Sequence, residues 1–147
     1  KMQYASPDEI YNRPAAQFVA GFTGSPPMNL VSCQLQAGGA DLGGGALIAL
    51  PTDLRERAAS APGHVFGIRP ENLSLVPRHV PGEVAVQARV VISEPLGAET
   101  LVTFQVGNVE LIARCSASFR APAGTLQNLY LDPAAMHLFS QDSGQAI

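Results

Sequence analysis

From Val31 onward the chain consists of short runs in which apolar and polar residues alternate, and this pattern most constrains its fold. Val31, Cys33 and Leu35 alternate with more polar neighbours. A repeat of two places one side chain toward a core and the next toward water, the signature of a half-buried strand. Similar runs follow: "ALIALP" (Ala46–Pro51), "HVFGIR" (His64–Arg69), "EVAVQARVVI" (Glu83–Ile92), "ETLVTFQV" (Glu99–Val106), "VELIARC" (Val109–Cys115), "TLQNLYL" (Thr125–Leu131) and "MHLF" (Met136–Phe139). Gly107-Asn108 between two of these runs is a two-residue hairpin signal. "AGGADLGGG" (Ala37–Gly45) reads as a glycine-rich turn, and Thr52–Ala59 as a short helix capped by Thr52. Strands in succession with no long helix between them imply a mainly β protein, a closed or nearly closed antiparallel barrel.

Upstream the pattern differs. Ser6-Pro7-Asp8-Glu9 is a capping box, with the Ser6 hydroxyl placed for the Glu9 amide and Pro7 at the first helical position. That helix stops or kinks before Pro14, which can open a second one carrying Phe18 and Phe22 on one face. Two short helices cannot fold alone, so their apolar face needs a neighbour. Gly21 and Gly24 permit termination, and "GSPPMN" (Gly24–Asn29) is a firm stop. The expected division is a helical tail over residues 1–24 and a barrel over 25–147.

Composition narrows the function classes. Charged residues make up 14% of the 147 and hydrophobic ones 46%, which argues for a packed core rather than disorder. Lys1 is the only lysine and the arginines are scattered, so the clustered basic footprint of a nucleic-acid binder is missing. No apolar run is long enough to span a membrane, and Lys1-Met2-Gln3-Tyr4 opens no signal-peptide core. Cys33 and Cys115 stand far apart and read as buried free thiols. Asn72-Leu73-Ser74 fits a glycosylation acceptor, which would require secretion.

Catalytic motifs are lacking. A phosphate loop needs a lysine and a hydroxyl residue after its last glycine, whereas Ala46 follows Gly45. His64, His79 and His137 are isolated from one another and from the cysteines, so none has metal-ligand spacing. No serine is flanked as in a nucleophile elbow. Glu94 and Glu99 read as a turn residue and a strand-face residue rather than an acid–base pair.

Four stretches, in this order and spacing, resemble one family. "SPDEIYNRPAAQFVAGFTGSPPMN" (Ser6–Asn29) is similar to the junction that follows the nucleotide-binding domain in ATP-binding subunits of sugar-type ABC importers. "GIRPENL" (Gly67–Leu73), "EPLGAE" (Glu94–Glu99) and "MHLFSQDSGQAI" (Met136–Ile147) resemble motifs of that family's C-terminal domain, with Ser140 where an aspartate often stands. The maltose and glycerol-3-phosphate importers are the nearest kind. The resemblance implies an OB-like, transport-associated barrel acting in regulation and dimerisation. It implies that the ATPase domain, with its phosphate loop, signature and metal-binding aspartate, lies outside this sequence. This stretch is then not an enzyme and binds no cofactor, ATP and magnesium belonging to the other domain. The implied partners are a second copy, the importer's membrane subunits and, in some relatives, a regulatory protein. The implied location is the cytoplasmic face of a bacterial plasma membrane.

The resemblance also marks residues. Arg69, Pro70 and Glu71 form one motif, with the two charges expected to serve structure around a sharp turn; Glu94, Leu96 and Gly97 belong to the second. His137, Leu138 and Phe139 are candidate dimer contacts, because a terminal strand is a natural sheet edge. Phe139 has two readings, an anchor for a second copy or a plug for the barrel end. A second functional reading is a small-ligand or oxyanion sensor using Ser93, Gly97 and Ser116–Ser118 as donors.

Overall fold

The computed structural model describes residues 26–58 and 63–147. The two expected helices before the barrel lie outside the described residues. What is described is ten strands and one helix: β1 (Asn29–Gln36), β2 (Gly39–Asp41), β3 (Leu47–Ala49), α1 (Thr52–Ala58), β4 (His64–Ile68), β5 (Leu73–Ser74), β6 (Val84–Pro95), β7 (Glu99–Val106), β8 (Val109–Ser116), β9 (Leu126–Leu131) and β10 (His137–Ser140).

They form two five-stranded sheets, β10-β4-β1-β2-β3 and β5-β9-β6-β7-β8, in which the paired strands run antiparallel. The alternation read in the sequence is the cause. In β8 the side chains of Leu111, Ala113 and Cys115 are buried while Glu110, Ile112 and Arg114 face out. The inward residues of both sheets meet in one core that includes Ile48, Phe66 and Ile68 from the first and Val102, Phe104, Leu111, Leu129 and Leu131 from the second. β4 is buried along its whole length because it serves two clusters. Phe66 and Ile68 face the shared core, while Val65 packs with Met28 and Phe139 in a smaller one.

The expectation of a mainly β, nearly closed antiparallel barrel holds. The sheets are joined at a seam where the Asn29 side chain replaces a missing strand. Its Nδ2 donates to the Ile112 carbonyl at 2.9 Å and its Oδ1 accepts from the Ile112 N–H at 2.8 Å. The exposed edge of β8 is thereby tied to the start of β1. β5 and the Pro70–Asn72 turn pack against β8 along the same side.

Two local readings need correction. β2 lies inside the stretch read as a glycine-rich turn, because the turns are the tighter ones at Ala37-Gly38 and Gly43–Gly45. The two-residue strand β5 pairs with β9 and is too short for any period to reveal. The Gly107-Asn108 hairpin is as expected: Val106 pairs with Val109, and Gly107 has φ +60°. A Cβ at Gly107 would collide with the Gly43 carbonyl, so this turn is packed against the Gly43–Gly45 turn.

Candidate functional site

The two central motifs converge on one side of the barrel. Arg69 leaves β4 in extended conformation (φ −76°, ψ 146°), as the following proline requires, and Pro70 opens a single 3-10 turn through Asn72. The Asn72 N–H closes that turn on the Arg69 carbonyl at 2.9 Å. The Arg69 side chain is buried, and burial lowers its pKa from the usual value. Glu71 is half-buried on the turn.

The second motif makes the tight connection from β6 to β7. The Leu96 N–H donates to the Glu99 carbonyl at 2.8 Å, and Gly97 takes φ +92°, a conformation natural to glycine. Glu94 and Leu96 are exposed. Glu99 opens β7 and accepts from Arg114 Nε at 2.8 Å across the β7–β8 ladder. That hydrogen bond raises the Arg114 pKa, and the nearby Glu71 carboxylate raises it further. Arg114 thus pairs with Glu99 of the second motif and feels the charge of Glu71 from the first. Sequence reasoning missed it, because an arginine on the outward face of an alternating strand carries no local signal.

The third group sits on β10, where His137 pairs with Gly67 and Phe139 with Val65. Leu138 is 1% exposed and Phe139 0%. The Phe139 ring packs in the cluster with Met28 and Val65 and stacks on His137, ring centroids 6.3 Å apart and inclined by 25°. Within the chain the ring is thus an interior group, and of the three only half-buried His137 has surface to offer. Burial lowers the His137 pKa, and the Arg69 charge lowers it further; His137 pairs with Gly67, two residues before Arg69. The outer edge of β10, expected to be open, is covered by the chain's own last residues. Ser140 N–H donates to Gln145 at 2.8 Å and Ile147 N–H to Leu138 at 2.9 Å.

Of the proposed oxyanion donors, Ser116 lies opposite Glu99, beside the Gly97 turn. Ser116 and Ser118 hydroxyls bond each other at 2.9 Å. Ser93 Oγ and Thr100 Oγ1 are buried without a partner, yet neither residue lines any of the three surface grooves described. Among the described residues no cluster of three or more His, Cys, Asp or Glu could hold a metal ion, and no helix is long and apolar enough to cross a membrane. An apolar-walled groove of about 610 Å³ lies between α1 and the loop at Pro133. The groove between β3 and the face of β6 holds about 490 Å³.

Comparison with known proteins assigns this architecture. Residues 24–73 match the family described as the MalK OB fold domain. Among curated proteins, the chain is 38% identical to the trehalose/maltose import ATP-binding protein MalK of Thermococcus litoralis, over 99% of this chain and 41% of that protein. It is 35% identical to the multiple sugar-binding transport ATP-binding protein MsmK of Streptococcus mutans, over 99% and 40% respectively. It is 40% identical to the sn-glycerol-3-phosphate import ATP-binding protein UgpC of Chromohalobacter salexigens, over 93% and 36%. The chain thus spans about two fifths of the length of the relatives it matches. Residues 66–139, half of the chain, match the TOBE domain, and the chain belongs to that family.

Proposed function

We propose that this chain is the C-terminal regulatory and dimerisation domain of the ATP-binding subunit of an ABC importer for a sugar or sugar phosphate. The observation that carries the reading is similarity along essentially the whole chain to import ATP-binding proteins whose own length is more than twice as great. In this reading residues 1–24 are the helical tail of the ATP-binding domain and 25–147 the barrel. ATP and magnesium bind in the other domain, and this part carries out no chemistry itself. The subunit works at the cytoplasmic face of the membrane with a second copy and the importer's membrane subunits, and regulatory proteins can dock on the barrel. A small-ligand sensor is less well supported, since two of its candidate donors, Ser116 and Ser118, already satisfy each other.

The test is a deletion. The longer subunit, with and without residues 26–147, is compared by sedimentation in the absence of ATP. The reading expects dimers in the first case and monomers in the second, with ATP hydrolysis by the isolated ATP-binding domain retained. Dimers of equal strength in both would refute the dimerisation role.

A further inference from the structure

Three of the sheet margins have partners beyond their edge: the Asn29 side chain bonds Ile112 of β8, β5 packs near β8, and residues near the C-terminal end bond β10. The fourth, β3, lies near β6, but among the described residues its outward backbone groups have no hydrogen-bond partner. Its pairing with β2 fixes which backbone groups remain. The Leu50 N–H donates to Gly38 and the Leu42 N–H to Ala46, so hydrogen-bonded pairs fall at every second position of the register, including Ala40 with Ile48. The N–H and C=O groups of Leu47 and Ala49 therefore point away from β2, and among the described residues no donor or acceptor takes them up.

This open edge borders the groove of about 490 Å³ whose floor is the outer face of β6 and its neighbours. Arg89 sits at the centre of a cross-strand row, with Gln105 on one side and Leu126 on the other. Its Nη1 is steadied by the Gly124 carbonyl at 2.9 Å. Leu47 and Leu126, 47% and 53% exposed, flank the opening. No aspartate or glutamate lines the groove, in a chain with twelve acidic residues and a net charge of −3. The groove is mainly polar, carries Arg89 as its one charged lining residue, with Glu110 two strands away in the same row, and is bordered by unused backbone donors and acceptors.

We propose that this groove receives an extended acidic segment of a partner protein, which adds as a strand to β3. Strand addition supplies main-chain hydrogen bonds, and alternate side chains read the surface beside the edge. Here one side chain of the incoming segment meets Arg89 and an apolar neighbour meets Leu47 and Leu126. β3 has only three residues, and short edges are how sheets avoid indiscriminate pairing. The backbone alone therefore selects nothing, and the acid opposite Arg89 gives the discrimination. The proposal does not depend on the parent subunit's identity.

The experiment uses the isotopically labelled 147-residue chain and two blocked pentapeptides, Val-Thr-Glu-Val-Thr and Val-Thr-Lys-Val-Thr, followed by amide NMR. The acidic peptide shifts the Leu47 and Ala49 amides and slows their exchange, and the lysine peptide binds more weakly. Arg89→Glu weakens the acidic peptide about tenfold and reverses the preference, as expected when an attractive charge pair becomes a repulsive one. Leu47→Pro removes one outward donor without touching the β2–β3 ladder and abolishes binding. The proposal is overturned if neither peptide shifts those amides at millimolar concentration or if both bind equally. It is also overturned if the shifts arise with protein concentration alone, which would make a second copy the occupant.

Discussion

Replacing Phe139 by alanine separates the two roles read into that ring. The side chain is 0% exposed and fills a small cluster with Met28 and Val65, with half-buried Leu30 packed alongside. The fit is close: a methyl group at Gly67 would lie 2.9 Å from the Phe139 ring and 2.8 Å from the Met28 sulfur. So tight a site has little room to collapse when the ring is removed, and Phe→Ala in such places costs about 3–5 kcal/mol. At about 2–4 °C per kcal/mol for a chain of this size, the melting temperature should fall by roughly 6–20 °C. Phe139→Leu keeps most of the volume and should lose under about 1.5 kcal/mol. Urea titration measures both, and sedimentation over a concentration series measures association independently. A loss below about 1 kcal/mol for the alanine variant, the size expected at a surface site, would refute the packing argument. If that small loss came with weakened dimerisation, the ring would be an interface anchor instead.

The other predictions rest on separate contacts. Asn29→Ala removes two hydrogen bonds to Ile112 and should cost about 1–3 kcal/mol, with faster exchange of the Ile112 amide; Asn29→Asp, which keeps the acceptor, should fall between it and wild type. Burial pushes the thiols of Cys33 and Cys115 up to about 11, so both should resist iodoacetamide at pH 8 in the native state and react only in denaturant; rapid native labelling would contradict this. The folded-state pKa of His137 is lowered from 6.5, so the unfolded chain takes up its proton first as pH falls. The stability linked to His137 should be complete above 6.5 and decline below it, until the folded-state pKa is passed. His137→Gln should flatten that part of the pH–melting curve, and an unchanged slope would remove His137 as the cause.

Much of this fold was legible because period-two alternation is written wherever one strand face is wet. β6, β7 and β8 were found within a few residues for that reason. β4 was found as well, although its two-cluster role leaves every side chain buried and erases the alternation. The sequence was silent where structure depends on distant partners. Asn29 closes the seam only because Ile112 arrives beside it, and nothing around Asn29 announces that. Arg114 likewise becomes notable only when the fold brings it to Glu99 and near Glu71. Phe139 had two readings in the sequence, and its burial within the chain depends on Gly67 and Met28, which are distant in sequence.

The two sheets must also form on different schedules as the chain is made. β6, β7 and β8 are successive hairpin partners and β9 returns to β6, so that sheet can assemble from residues near one another in sequence. The heart of the first sheet is β10-β4-β1, stitched from residues 137–140, 64–68 and 29–36. Its last member leaves the ribosome only after the other sheet is already available. Pairings so distant in sequence form slowly, because the intervening chain loses entropy before any contact compensates. During synthesis β4 thus waits with one edge and its Val65 face unprotected. The nascent barrel should be most vulnerable to misassociation in the interval between completion of β9 and arrival of β10.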